Sequence, residues 1–458
     1  MVKDLPGTEQ KSYPLTRGAD VVAEPAYAGG ERGAGRGEIE RLQLRKINAL
    51  LQTILPANSF YTHKLAGCIG LNPFNNLKEY SSAIPLTTRH EIVRDRLANP
   101  PYGTNLTFPL EKYVRCHQTS GTTTMPIRWL DTQESWSHIV DNWVQILGAA
   151  GVTSRDRFFF AFSFGPFLGF WSALEAVLRL GYFCFPGGAM TSLGRLQAIL
   201  DNDITVLCCT PTYAQHLGEV AREKQLDLSK SRLRLIIVAG EAGGSIPATR
   251  ARIERLFPGA TVFDHHGMTE VGPVTFQCPA RPGILHVLEA AYVAEVIDSK
   301  TGMAVNPGET GELVLTTLDR QGSPLLRYRT GDLVKPCPEA ACACGRHELA
   351  LEGGILGRSD DMMVVRGVNV YPSLIEEIVR SHPEVTEYRV EFDCRQSMIE
   401  MSLACEIAAE NAESAELPER LAQSLQTALN LRIPVRLLPR GSLPRFEMKS
   451  QRWLKITE

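Results

Sequence analysis

Leu233-Arg234-Leu235-Ile236-Ile237-Val238-Ala239-Gly240-Glu241-Ala242-Gly243-Gly244 is an apolar run that stops abruptly in small residues. A strand covered on both faces reads as such a run, because neither side meets water. Phe158-Phe159-Phe160-Ala161-Phe162 and Thr205-Val206-Leu207-Cys208-Cys209 have the same form. Turn residues and then helical stretches follow, as from Phe170 to Leu180 and from Tyr213 to Glu223. Buried strands alternating with helices predict an α/β fold with a mostly parallel sheet. Ligands in such folds bind outside the carboxyl ends of the strands, which is where these small-residue turns fall.

On the N-terminal side, Leu44, Ile47, Leu51 and Ile54 recur at helical spacing from about Glu38 to Pro56. Residues 1–37, rich in Gly, Ala and charge, read as a flexible arm with too little apolar surface to order. Past about residue 275, short strands such as Ala294–Ile297 and Glu312–Leu315 between Gly and Pro predict an antiparallel subdomain. Residues 38–359 are therefore expected to form one large domain and 360–458 a small α+β domain. The small domain should hold helices Ser373–Ser381 and Leu417–Leu429, paired strands near Tyr388–Phe392 and Ile399–Ile407, and a last strand near Val435–Leu438.

The 48 Lys+Arg and 51 Asp+Glu of the 458 residues nearly cancel, so no bulk charge draws nucleic acid or anionic lipid. No stretch approaches the roughly 18 apolar residues of a membrane span. Eleven scattered cysteines suit reduced thiols in a cytoplasmic protein.

Six segments carry chemistry. Thr119-Ser120-Gly121-Thr122-Thr123-Thr124 sets five hydroxyls around one glycine, a loop able to wrap a polyphosphate. Gly240-Glu241-Ala242 follows a strand, and Asp264-His265-His266-Gly267-Met268-Thr269-Glu270 puts a hydroxyl beside a carboxylate suited to phosphate and Mg²⁺. Tyr328-Arg329-Thr330-Gly331-Asp332 places a carboxylate where ribose hydroxyls could meet it. Gly357-Arg358-Ser359-Asp360 and Arg366-Gly367 follow, with Lys449 near the end.

In this order the segments resemble those of the adenylate-forming acyl- and aryl-coenzyme A ligases, in the branch of the phenylacetate–coenzyme A ligases. The resemblance covers about residues 40 to 455. It implies that ATP activates a small aromatic carboxylic acid to an acyl-adenylate, and that a mobile C-terminal domain then turns so that coenzyme A displaces AMP. Thr119 to Thr124 would hold phosphates, and Gly240, Glu241 and Ala242 would flank the adenine. His266, with His265 beside it in the nucleotide site, takes the family's aromatic position. Thr269 would touch the α-phosphate, Glu270 hold Mg²⁺, Asp332 bind the ribose, and Arg358 lie close to ribose and phosphates. Asp360 would be the hinge, Lys449 would bridge the substrate carboxylate and the α-phosphate, and Arg366 and Gly367 would approach the pantetheine thiol. The chain departs from the family at Thr124 and Met125, where Gly and Lys are usual, and at His266, where tyrosine is usual.

Cys278, His286, Cys342 and Cys344 form a second constellation, its C-x-C pair resembling a knuckle of the phenylacetate branch. Three thiolates and one imidazole would close a tetrahedral, structural Zn²⁺ site, with Cys337 a competing ligand. Phe164, Gly165, Phe170, Trp171 and Gly267 are the candidate lining of an apolar acyl pocket, and no spare cation there favours a diacid. Two other readings stay open: an adenylating ligase that passes its acyl group to an amine or a carrier protein, and a non-catalytic ligand-binding relative. A homodimer is a family-level expectation.

Overall fold

The computed structural model describes residues 35–68, 73–119, 126–338, 342–359, 361–366, 368–395, 399–407, 416–446 and 450–456, with Phe170 described in its backbone only. Five parallel strands make the central sheet, in the order Phe183–Pro186, Arg157–Phe160, Val206–Cys209, Leu235–Val238 and Thr261–Asp264. Alternate residues of each strand face opposite sides. Phe158, Phe160, Val206, Cys208, Leu235 and Ile237 pack into one hydrophobic cluster, and Phe159, Leu207, Cys209, Ile236 and Val238 into another. Both faces are covered, which is why the three runs contain no polar alternation. The chain leaves the neighbouring strands Arg157–Phe160 and Val206–Cys209 toward opposite edges of the sheet, and such a switch point is where α/β sheets bind ligands, at the carboxyl ends of the two strands.

The antiparallel part follows as expected. Tyr292–Ile297, Gly311–Thr317, Tyr328–Val334 and Gly357–Arg358 form one sheet, and Thr275–Gln277, Ile284–Val287 and Ala350–Glu352 another. Pairing sets Asp332 directly opposite Arg358.

The N-terminal helix Arg36–Ile54 buries Ile39, Ile47, Leu50, Leu51 and Ile54. Leu44, expected on that face, is only half-buried, and Gln43 is fully buried instead. The Gln43 amide donates to the Tyr292 carbonyl at 2.8 Å and the Glu289 carbonyl at 3.1 Å. A polar side chain is tolerated inside because it satisfies backbone carbonyls that would otherwise be stranded.

In the C-terminal unit the strand order is Val435–Leu438, Glu400–Ile407, Val385–Asp393 and Trp453–Ile456. The middle pair is antiparallel, and each outer strand runs parallel to its neighbour. Trp453–Ile456 lies beyond the strand expected to be last. It is a short edge strand with half-exposed ends and an exposed Leu454-Lys455 centre, so it shows no apolar run. Helices Pro372–Arg380 and Leu417–Leu429 pack against this sheet around Ile375, Val379, Leu421 and Leu425. Among the described residues no helix is long and apolar enough to cross a membrane.

Candidate active site

Four turns meet at the carboxyl edge of the parallel sheet. The first begins at Thr119, whose amide donates to the Ile127 carbonyl and whose hydroxyl accepts from the Ile127 amide, both at 2.9 Å. Thr119 thus closes the base of the Ser/Thr-rich loop. Ser120, Gly121, Thr122, Thr123, Thr124 and Met125 lie outside the described residues, as do Asp360, Gly367, Lys449 and the Phe170 side chain.

The second turn, Gly240–Gly244, leaves the Leu235–Val238 strand. A Cβ on Gly243 would come within 2.5 Å of Pro211, and one on Gly244 within 2.5 Å of Asp264. Only glycine lets the turn lie this close to its neighbours. Ala242 is exposed and Gly240 half-buried. Both carboxylate oxygens of Glu241 are engaged: Oε1 accepts from the Thr212 amide at 2.9 Å, and Oε2 accepts from the amide and hydroxyl of Ser450 at 2.8 and 2.9 Å.

The third turn carries His265 to Glu270. His266 Nε2 lies 3.0 Å from Asp332 Oδ2, close enough for an ion pair but without the alignment of a hydrogen bond. Asp332 Oδ1 accepts from Arg358 at 3.2 Å, and Arg358 also donates to the Thr330 carbonyl. His266, Asp332 and Arg358, distant in sequence, therefore form one polar cluster. His265 turns away from it: it is 5% exposed, stands edge-on to Trp143 at 4.3 Å, and neither ring nitrogen has a hydrogen-bond partner among the described residues. Burial pushes its imidazole down to about 3.

Thr269 and Glu270 are held from behind by a residue that sequence reading missed. Arg320, 3% exposed, donates to both of their carbonyls at 2.8 Å and grips Asp131 with two bonds of 2.6 and 2.7 Å. Glu270 Oε1 accepts from Arg89 at 2.7 Å. Arg89 and Arg320 stand 181 and 50 residues from Glu270, and no local motif marks either one. Mg²⁺ takes six oxygen ligands. Glu270 can contribute to that set, but its carboxylate would be shared between the cation and the Arg89 guanidinium, so other oxygens would have to complete the shell.

The aromatic turn after Phe160 supplies the fourth wall. Phe164 stands 5.2 Å from Trp171 at 62°, and the Trp171 indole donates to the Gly165 carbonyl at 2.9 Å. Gly267 begins a two-residue strand paired with Gly272–Pro273; a Cβ there would fall 2.8 Å from the Gly272 carbonyl oxygen. Arg366 is elsewhere, on an exposed turn of the C-terminal unit beside Glu400.

Away from this edge, one ligand atom from each of Cys278, His286, Cys342 and Cys344 lies within 4.8 Å of the other three. Cys278 Sγ is 3.5 Å from Cys342 Sγ, and Cys344 Sγ is 3.4 Å from His286 Nε2. Zinc–sulfur bonds of about 2.3 Å in a tetrahedron separate two sulfurs by roughly 3.8 Å, so the donors fit such an ion with little movement. The other imidazole nitrogen of His286 lies 3.4 Å from the Glu348 carbonyl, the usual partner that turns Nε2 toward a metal. Cys337 is outside the quartet and packs beside it.

The glycine-tight turn, the Thr119 loop base and the His266–Asp332–Arg358 cluster lie at the carboxyl edge of a parallel sheet, where α/β enzymes bind their ligands. Residues 117–317 match the AMP-binding enzyme family, and residues 367–455 match the AMP-binding enzyme C-terminal domain. The chain is 30% identical to the phenylacetate-coenzyme A ligase of Thermus thermophilus, over 90% of this chain and 95% of that one. With the Escherichia coli phenylacetate-coenzyme A ligase it shares 30% identity over 91% and 94%. A crystal structure of 2-hydroxyisobutyryl-CoA ligase in the postadenylation state superposes with a TM-score of 0.87 at 26% identity, covering 93% of this chain and 91% of that one. The same ligase in the thioesterification state gives 0.69 over 93% and 92%, at 27% identity. The chain belongs to the AMP-binding enzyme family, in the branch of the phenylacetate–coenzyme A ligases, and is an adenylate-forming acyl-coenzyme A ligase.

Removing one partner of a buried ion pair strands the other. Arg320→Ala is therefore expected to cost about 3–5 kcal/mol in urea unfolding; a loss under about 1 kcal/mol, the worth of a surface pair, would refute the pinning role.

His117, 5% exposed and stacked on Trp136 at 5.0 Å, gives a pH test. Burial pushes its imidazole from 6.5 down to about 4. The folded state thus refuses a proton that the unfolded chain accepts, and stability present above 6.5 is lost as the pH falls toward 4. Between about pH 7.5 and 5.5 the loss from this one residue is about 1.4 kcal/mol. His117→Gln should shrink the wild-type acid loss by that amount, and an unchanged pH slope would show that His117 titrates normally.

Proposed function

We propose that the acid activated by this ligase is a small aromatic carboxylic acid, taken from acyl-adenylate to coenzyme A thioester. The observation that carries the proposal is the convergence of the Thr269–Glu270 turn, the His266–Asp332–Arg358 cluster and the Phe164–Trp171 ring pair on one sheet edge. The names of the phenylacetate-coenzyme A ligase relatives support an aromatic acid. Gly240, Ala242 and Glu241 would border the adenine, Glu241 through its backbone because its carboxylate is engaged by Thr212 and Ser450. His266 would lie against the adenine face, and Asp332 would exchange its contacts with His266 and Arg358 for the ribose hydroxyls. The Thr119–Thr124 loop and Thr269 would bind phosphate oxygens by N–H and O–H donors, and Glu270 would hold Mg²⁺, which screens the triphosphate. Phe164, Gly165, Phe170, Trp171 and Gly267 would exclude water from the acyl group.

Two anions must meet for an acid to attack the α-phosphate, so a cation placed between them is the chief catalytic need. Lys449 supplies it in this reading. The C-terminal domain then turns about Asp360 and brings Arg366 and Gly367 toward the thiol. The higher superposition on the postadenylation form supports assigning the present arrangement to the adenylating half of the cycle. The Cys278–His286–Cys342–Cys344 quartet would hold zinc as a closed structural site, stapling the Thr275–Val287 hairpin to the 342–344 knuckle. No disulfide joins any of the eleven cysteines, and reduced thiols suit a cytoplasmic setting.

Lys449→Ala is expected to lower acid-dependent ATP–pyrophosphate exchange by about 10²–10³ and to spare thioester formation from supplied acyl-adenylate. The exchange is measured across a panel of aryl and alkyl acids; equal loss of both half-reactions sinks the lysine's role, and a preference for alkyl acids sinks the aromatic substrate. Elemental analysis of never-chelated protein should find about one zinc per chain, as a four-ligand closed site requires. Cys344→Ser should lower that content, and metal-free protein of undiminished stability would argue against the staple.

A further inference from the structure

Glu241 has a part in this fold that adenine contact does not explain. Helix Pro211–Glu223 begins with proline, which has no N–H, and its next two amides need partners. The Tyr213 amide is capped by the Thr210 hydroxyl at 3.1 Å, and the Thr212 amide by Glu241 Oε1 at 2.9 Å. The positive end of the helix favours that carboxylate. Its other oxygen reaches across to the C-terminal unit and accepts two bonds from Ser450, the residue that follows Lys449. Two residues on, Arg452 donates to the Thr212 hydroxyl at 3.3 Å while Glu387 holds its guanidinium at 2.6 and 3.1 Å. Ser450 and Arg452 thus both dock on the same helix start.

We infer that Glu241 is a positioning residue of the adenylating half-reaction, a latch that fixes the backbone next to Lys449 against the N-terminal domain. The inference rests on the reading of Lys449 as the adenylating lysine. Three donors converge on this side chain, two on Oε2, and a carboxylate can accept from all of them. Glutamine has one acceptor oxygen and would turn an NH₂ toward N–H donors on one side. Glu241→Gln keeps the size and opens the latch. Rotation of the C-terminal domain would break the Ser450 bonds in any case, so the second half-reaction does not use them.

Pyrophosphate exchange, thioester formation from supplied acyl-adenylate and KM for ATP are measured in wild type, Glu241→Gln and Ser450→Ala, together with amide hydrogen exchange over Thr212 and Ser450. In Glu241→Gln, kcat for adenylation should fall about 10²-fold, the scale of a misplaced catalytic group, with KM for ATP and the thioester step unchanged. Ser450→Ala, which removes the hydroxyl bond alone, should show a smaller loss of the same kind. The amides of Thr212 and Ser450 should exchange faster in Glu241→Gln, while those of Val385–Asp393 keep their protection. A rise in KM for ATP at constant kcat would make Glu241 a nucleotide-binding residue and overturn the latch, as would equal loss of both half-reactions or unaltered amide exchange. Wild-type protein that exchanges pyrophosphate with no acid would defeat the adenylation reading itself, and the amide exchange would still decide whether the latch exists.

Discussion

A helix start leaves backbone N–H groups without partners, and burying them unpaired costs free energy. Two such starts organise the contact between the halves of this enzyme. Helix Pro211–Glu223 has its second amide capped by Glu241, which also holds Ser450. Helix Pro247–Leu256 has no capping side chain of its own, and its second amide donates to a carboxylate of the other domain, from Ala248 N to Glu377 at 2.8 Å. In both, proline at the first position removes one donor and leaves the next exposed to a glutamate. Around them Arg252 donates to the Val385 carbonyl at 2.8 Å, and Thr249 to Glu376 at 3.4 Å. These contacts are polar and directional, which suits the proposed turning of the C-terminal domain.

The catalytic edge follows a related logic. Its charges are already partnered within the chain: Glu270 with Arg89, Asp332 with Arg358 and His266. In the proposed binding mode a nucleotide would exchange these partners for ribose hydroxyls and phosphates, rather than meet bare charges whose desolvation it would have to offset. Arg320 would stand outside that exchange. Fully enclosed with Asp131, it holds the Thr269–Glu270 backbone from behind through both carbonyls.

How much of this could be read in the chain depends on the range of the interaction. The parallel sheet was legible because Phe158–Phe160, Val206–Cys209 and Leu235–Val238 are buried on both faces and so carry no polar residue. The Cys278–His286–Cys342–Cys344 quartet was legible from residue type and the resemblance of its C-x-C pair, although its members come from a hairpin and a loop far apart in the chain. Gln43 was not, since a buried amide satisfied by the Tyr292 carbonyl looks in sequence like a surface residue. Arg89 and Arg320 escaped for a related reason: a charge paired with a partner far along the chain has no local signature. Trp453–Ile456 was missed because an edge strand need not be apolar. Lys449, the loop from Ser120 to Thr124, Asp360 and Gly367 are read from sequence and resemblance alone.

The Gln118 amide donates to the Pro166 carbonyl at 2.8 Å, one residue before Thr119 closes the hydroxyl-rich loop. The aromatic turn and the base of that loop are therefore a single mechanical piece. With this turn as the proposed wall of the acyl pocket, the bend at Gly165 and Pro166 could not be remodelled for a bulkier acid without tilting the segment that leads into the hydroxyl-rich loop. Because the Trp171 indole also donates to the Gly165 carbonyl, drift in substrate range along this lineage should show linked changes in the turn, the Trp171 helix and the strand that enters the loop.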